Sequence, residues 1–326
     1  MSKLTRRQIM QAAVGVSTCA AGMPLLAKDY PNRPIRLVVP TPAGSGPDID
    51  TRQVAEHMTS LLGQPIVVEN KPGGGVRIAS EYVSKATPDG YTLLVSTPSL
   101  ITAPFLYDKL PFDAKRDFIP VSLLSETYLA MTINAKVPAR TPAEYAALSH
   151  TRPDLANVGT YGIGTIPHLA AAWFETISKA AFNLVHYGAA PPYADLLSGQ
   201  TQAIFDAVLP ILGGVQAGRL RILAIAGKNR QPLLPDTPTF AEAGFGDYNP
   251  VVWTGVFAPT GTPAAAVKRL ADAFSKAAKT PEVIARRQEG ASQSIGSTPE
   301  FFRDYLEAER EKWGSVIRRM GLKLES

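Results

Sequence analysis

Cysteine is nearly absent from this chain: Cys19 is the only one among 326 residues. That excludes an intrachain disulfide and a zinc site built on cysteine. Charge is sparse as well, at 19% of residues, and no run of five basic residues occurs. A nucleic-acid partner is therefore not expected. The 26 glycines and 28 prolines follow no Gly-x-y period, which excludes collagen and points to many turns. No internal repeat of solenoid length is found. His57, His150, His168 and His186 are too far apart to show a metal-ligand spacing. Gly73-Gly74-Gly75 lacks the Gly-Lys-Ser/Thr of a phosphate-binding loop. Ala43-Gly44-Ser45-Gly46 lacks the spacing of a nucleophile elbow. No nucleophile–base pair is readable, so neither an enzyme, a metal nor a cofactor is expected.

What is present suffices for two ordinary cores. Hydrophobic residues make up 45% of the chain, and the length fits about two domains. The net charge of +5 is concentrated at the N-terminus. Lys3, Arg6 and Arg7 stand in residues 1–27 without an acid, and the rest carries 30 basic and 28 acidic residues.

Residues 1–27 read as an export signal. An apolar segment from about Ile9 to Ala27 is broken by Gln11, Ser17, Thr18, Gly22 and Pro24. It is too interrupted for a membrane-spanning helix. Ala27 precedes polar Lys28-Asp29-Tyr30, which places cleavage near Ala27 and the mature protein outside the cytoplasm. Thr5-Arg6-Arg7-Gln8-Ile9-Met10 resembles a twin-arginine signal. An ordinary secretory signal and a lipoprotein site at Val16-Ser17-Thr18-Cys19 are the alternatives. Cleavage after Ala27 leaves no cysteine, which suits an oxidising compartment.

The mature chain alternates strands and helices. Strands are expected at Pro34–Val39, Pro65–Glu69, Tyr91–Val95, Leu129–Asn134, Ala203–Val208 and Arg221–Ala226. Helices are expected at Ile49–Leu62, Ile78–Lys85, Ile166–Lys179 and Pro192–Leu197. Thr141-Pro142-Ala143-Glu144, Thr262-Pro263 and Thr298-Pro299 mark further helix starts. The last helix carries Phe302, Tyr305, Trp313, Ile317 and Met320 on one stripe. The fold class is α/β, with mixed, largely parallel sheets.

Three segments share one form: a strand end, a small Gly-rich loop, then a helix start. They are Pro42 to Asp48, Gly159 to Thr165, and Tyr187 to Pro192. Glycines let a ligand approach the backbone. Helix N-termini offer free N–H groups and partial positive charge, so they bind carboxylate or phosphate without Lys or Arg. Such turns are also ordinary in α/β proteins. Asp48 fits a helix cap as well as a ligand contact, and His168 fits local bonding as well as ligand contact. Asp206, within Ala203-Ile204-Phe205-Asp206-Ala207-Val208, is expected to be a buried acid in need of partners.

Several longer stretches resemble one family. They are Tyr30-Pro31-Asn32-Arg33-Pro34-Ile35-Arg36-Leu37, Leu62-Gly63-Gln64-Pro65-Ile66-Val67-Val68-Glu69-Asn70-Lys71-Pro72-Gly73 and Pro88-Asp89-Gly90-Tyr91-Thr92-Leu93-Leu94. Gly164-Thr165-Ile166-Pro167-His168, Asp195-Leu196-Leu197-Ser198-Gly199-Gln200 and Leu234-Pro235-Asp236-Thr237-Pro238-Thr239 continue the series. The chain is similar over about residues 30–320 to the Bug-type extracytoplasmic solute receptors of tripartite tricarboxylate transporters. The resemblance implies a two-domain flytrap of the periplasmic binding protein type, joined by crossing strands. Residues 28–130 and 249–326 would form domain one, and 131–248 domain two.

The resemblance also implies a ligand: an organic acid, an aromatic acid or an acidic amino acid, held by backbone amides and ordered water. The implied contacts are Ala43, Gly44, Ser45 and Asp48 in the first loop. They are Gly162, Gly164, Thr165 and His168 in the second, and Tyr187, Gly188, Ala189 and Asp206 beyond. The implied partners are the membrane permease subunits of the transporter, met by a monomeric receptor. Presentation of ligand to a membrane sensor is the alternative, and a secreted enzyme a more distant one. Four positions depart from the family: Thr41 stands where Phe is usual, Ser45 where a second Gly is usual, and Arg77 and Ala103 where Asn is usual. Arg77 is either a grip for a second ligand carboxylate or a surface residue.

Overall fold

The computed structural model describes residues 30–74, 76–188 and 190–324. The expected signal segment, with Arg6, Arg7, Cys19 and the cleavage point at Ala27, lies outside the described residues, as does Ala189. Among the described residues no helix is long and apolar enough to cross a membrane.

The chain begins β1 (Ile35–Val39), α1 (Gly46–Leu62), β2 (Ile66–Asn70), α2 (Arg77–Ser84), β3 (Thr92–Ser96), α3 (Ser99–Leu106) and β4 (Phe118–Tyr128). It continues through β5 (Ala130–Asn134), α4 (Pro142–Thr151), β6 (Asn157–Thr160), α5 (Ile166–Ser178) and β7 (Asn183–His186). Next come α6 (Tyr193–Ser198), β8 (Ala203–Asp206), α7 (Leu212–Gln216) and β9 (Leu220–Ile225). It returns through β10 (Val251–Pro259), α8 (Ala264–Ala278), α9 (Pro281–Gln288), β11 (Ser292–Ser294) and α10 (Pro299–Met320).

The strands form two sheets. The first has six, in the order β11-β4-β10-β3-β1-β2, and the second five, in the order β7-β6-β8-β5-β9. Both are mixed: four strand pairings are parallel and five antiparallel. The antiparallel share is larger than strand–helix alternation suggests. The reason is the chain's traffic between sheets: β4 and β10 carry it out and back, so they pair in opposite directions. Neither strand was among those expected from sequence. β10 is apolar almost throughout and buried on both faces, so it shows no two-residue period.

The crossing is tight. β4 ends at Tyr128 and β5 starts at Ala130, leaving Leu129 alone between the sheets. Its N–H donates to Pro250 O at 3.2 Å, and its carbonyl accepts from Ala226 N at 2.8 Å. One residue is thus bonded to both ends of the return segment.

Helices cover the sheets with the faces their sequences provide. α1 buries Val54, Ala55, Met58 and Leu62, while Leu61 is 38% exposed. α10 is capped by Thr298, whose hydroxyl accepts from Phe301 N at 3.2 Å. Its buried stripe of Phe302, Trp313 and Ile317 reaches the second sheet's layer. There Trp313 meets Trp173 of α5 edge-on, with ring centres 5.8 Å apart. Full burial of such a side chain contributes about 2–3 kcal/mol. Thr262 does not cap α8; its hydroxyl turns to Pro259 O, and the helix starts at Ala264.

Candidate functional site

The loop after β1 is stapled from within. Asp48, 2% exposed, accepts hydrogen bonds from Gly44 N at 2.8 Å, from Asn70 Nδ2 at 2.8 Å and from Arg52 Nε at 3.1 Å. Burial pushes this carboxyl's pKa up; the bonds from Arg52, Gly44 and Asn70 outweigh it, and the pKa is held below the usual carboxylate range. Gly44 sits at φ 80°, a left-handed conformation that aims its N–H at Asp48. Ala43 is exposed at the tip. The Ser45 hydroxyl pairs with Thr41 Oγ1 at 2.6 Å and so does not cap α1.

The loop after β6 repeats this economy. Thr165 Oγ1 donates to Gly162 O at 2.7 Å, leaving the start of α5 uncapped. His168 is 4% exposed, and its Nδ1 accepts from Gly164 N at 3.0 Å. Burial and the neighbouring His186 ring, 5.0 Å away, lower its pKa to about 4, so the ring is neutral. Gly164 faces inward: a Cβ there would lie 2.8 Å from Leu106 Cδ1. Gly162 is more open, and the nearest atom to a Cβ there would be Gly188 O at 3.7 Å, so the second and third loops adjoin. In the third loop Tyr187 OH donates to Asp195 Oδ2 at 2.5 Å. Gly188 is exposed, with open space around it.

A helix start without a cap is not in itself a site; α9 also lacks a side-chain cap. What distinguishes α1 is where it lies, and α5 follows the loop that brings Tyr161 to the same place. A cavity of about 290 Å³ separates the two sheets' layers. Its first wall is Gly46, Pro47, Ile49 and Asp50 from α1; its second is Tyr161, Tyr193, Asp206 and Leu209. Thr127, Leu129 and Thr254 of the crossing segments close the floor. Among the described residues the N–H groups of Gly46 and Asp48, and of Ile166 and His168, find no backbone acceptor. Prolines at the second helical position of each, Pro47 and Pro167, contribute no donor.

No Lys or Arg lines this cavity, but two acids do. Asp50 is neutralised by an ion pair with Arg287, and accepts from Ser125 Oγ at 3.0 Å. Burial lowers the Arg287 pKa to about 10, so it stays charged at neutral pH. Asp206 is 7% exposed and has no cation partner among the described residues. It accepts from Tyr193 OH at 2.9 Å and from Ala207 N at 2.8 Å. Burial raises its pKa; these bonds offset only part of that. The Tyr193 hydroxyl is in turn 2.8 Å from that of Tyr161. This chain of hydroxyls was not anticipated from sequence. Its signal is faint: Tyr161 stands inside the Gly-rich loop and Tyr193 at a helix start, 32 residues apart.

Of the expected contacts, Asp206 lines the 290 Å³ cavity, while Gly164 and Thr165 line a second, smaller one near α2 and α3. Asp48 is spent on bonds from Gly44, Arg52 and Asn70, and His168 on the bond from Gly164.

The model of the tripartite tricarboxylate transporter family receptor matches residues 51–322. The chain belongs to this family. Protein BugT of Bordetella pertussis (strain Tohama I) is 32% identical over 320 residues, covering 96% of this chain and 98% of its own. The solved periplasmic binding protein BugD is 28% identical, with a TM-score of 0.78, covering 90% of this chain and 100% of its own. An R. palustris protein solved with adipate is 29% identical, with a TM-score of 0.81, covering 91% and 100%. The two-domain α/β architecture is thus that of the periplasmic solute receptors, and this is a Bug-type receptor.

Proposed function

We propose that the protein captures a small carboxylate in the cleft between its two sheets and delivers it, unaltered, to a membrane permease of the tripartite tricarboxylate type. The observation that carries this is the uncapped start of α1 bordering the 290 Å³ cavity, which no Lys or Arg lines, with Tyr161 of the loop before α5 on the facing wall. Free amides and helix ends hold an anion without a fixed cation, and water fills the remaining space. The adipate held by the R. palustris relative supports the same ligand class. The receptor acts as a monomer. Domain one comprises 28–130 and 249–326, domain two 131–248, a division that follows the two sheets. Residues 1–27 direct export to the periplasm.

Mass spectrometry of what stays bound after native purification, followed by calorimetry against organic acids, tests this. One equivalent of carboxylate per chain, recovered unchanged, is expected. Failure of every acid to bind, or its chemical conversion by the pure protein, would overturn the reading. For export, changing Arg6 and Arg7 together to Lys should retain the protein in the cytoplasm; unchanged export would exclude the twin-arginine route.

A further inference from the structure

The 290 Å³ cavity contains one acid that the fold leaves unanswered. Asp50 and Asp206 both line it, and among the described residues no Lys, Arg or His does. Asp50 is fully answered: Arg287 pairs with it, Ser125 Oγ donates to it at 3.0 Å and Thr254 Oγ1 at 3.3 Å. Asp206 receives neutral donors alone, Tyr193 OH on Oδ2 and Ala207 N on Oδ1.

The elements packed around Asp206 bring no free cation. β5 and β6, which flank its strand, carry no titratable side chain. The loop after β6 brings Tyr161, and α6 brings Tyr193 and Asp195, the last occupied by Tyr187 OH. α5, packed on β8, carries His168 and Glu175. His168 Nδ1 accepts from Gly164 N, and Glu175 accepts from Phe182 N at 2.9 Å. Beyond β6, His186 Nδ1 is 2.8 Å from Thr160 Oγ1. Across the cavity α1 brings the paired Asp50, and Asp48 with its partner Arg52.

The remaining walls include Ile49, Leu129, Leu209 and Val252. Apolar walls screen poorly, so an anion entering beside an ionised Asp206 is repelled. Two carboxyl groups in such a site hold one proton between them.

We propose that the receptor captures its anion together with a proton, which Asp206 holds. The Asp206 O–H donates to the bound carboxylate, a short charge-assisted hydrogen bond. The proton comes from solvent and returns there on release. Burial raises the pKa of Tyr161 and Tyr193, so both hydroxyls are already protonated and the uptake falls on Asp206. The inference rests on the carboxylate reading above and deepens it: capture weakens as pH rises.

The experiment is calorimetry of the whole protein against adipate, glutamate and benzoate between pH 6.5 and 8.5, in buffers of different ionisation enthalpy. Any acid that binds should take up a substantial fraction of a proton per chain within this range. Its affinity should fall by up to about ten-fold per pH unit. Asp206→Asn keeps the shape but holds no charge. It should abolish the uptake, flatten the pH profile and bind more tightly than the parent at pH 8.5. Tyr193→Phe, which removes a donor to the ionised carboxyl, should move the midpoint of uptake to higher pH. Thermal melts confirm that each variant is folded. A binding heat independent of buffer in the parent protein at every pH overturns the proton linkage and leaves carboxylate binding intact. Uptake that persists in Asp206→Asn overturns it too, assigning the proton to another group such as His168. Binding of none of the three acids overturns both readings.

Discussion

The Tyr193 hydroxyl gives its proton to Asp206 Oδ2 at 2.9 Å, so the 2.8 Å contact with Tyr161 must be donated by Tyr161. Protons therefore point along one line, from the second loop's tyrosine to a carboxyl on the cavity wall. That carboxyl is buried with no cation beside it, and its pKa is raised chiefly for that reason.

Asp206 should destabilise the fold as pH rises. A native pKa above the unfolded value of about 3.9 gives stability that is complete below that value and lost as pH climbs through the native pKa. Denaturant midpoints between pH 4 and 8 should fall more steeply in the parent protein than in Asp206→Asn. Parallel curves would show that Asp206 titrates normally.

His168 works in the opposite sense. Its native pKa, lowered to about 4, lies below the ordinary His value of 6.5. The stability it contributes is present above that ordinary value and lost as pH falls toward 4. His168→Asn keeps an acceptor for Gly164 N–H but cannot charge. Between pH 7 and 4.5 it should lose on the order of 1–3 kcal/mol less than the parent protein. Equal losses would exclude a buried neutral His168.

Gly164 and Ala43 separate packing from binding. Gly164 is at φ 83°, and a Cβ would strike Leu106. Gly164→Ala should therefore destabilise by about 1–3 kcal/mol, and a tryptophan there would disrupt the fold. Ala43 is exposed at the rim of the first loop. Ala43→Trp should melt within about 1 °C of the parent, about 0.5 kcal/mol for a chain of this size, and should abolish carboxylate binding. Normal binding in Ala43→Trp would move the ligand away from the first loop.

Asp48→Ala strips three donors of their acceptor. Gly44, Asn70 and Arg52 would be left facing a buried gap. A cost of about 2–4 kcal/mol is expected, together with weaker ligand affinity as the loop loosens. Because the native pKa of Asp48 is lowered, its contribution is present above pH 4 and disappears in stronger acid. A variant as stable as its parent would mean that Arg52 and Asn70 hold the loop alone.

The sequence displayed the βα loops but not their directions. The motif at Gly162-Ile163-Gly164 shows that backbone room is needed; it does not show that Gly164 needs it for Leu106, a neighbour 58 positions earlier. Asp48 was readable as an acid in a first helical turn, whereas Asn70, which locks it, arrives from the adjoining strand. β4 contains Pro120 and β10 lacks alternation, so the two strands that join the sheets left no periodic trace. Such elements are specified by burial on both faces, a property of the assembled sheet. Tyr161 and Tyr193 meet only when the second domain closes on itself, and spacing along the chain carries no record of that.

Leu129, bonded on one side to Pro250 and on the other to Ala226, makes the passage between the sheets a pivot with a very short axle. A turn about it sweeps each atom through an arc proportional to its distance. Leu129, Thr127 and Asp206 border the same cavity close to this pivot and would travel little; Ala43 and Gly188, out on exposed loops, would travel most. A few degrees at one residue therefore become ångströms at the rim, and the amides of the outer loops part before the cavity floor is disturbed. Under the proposed capture, a departing ligand would lose its grip from the outside inward, and an arriving one would be enclosed last at the rim.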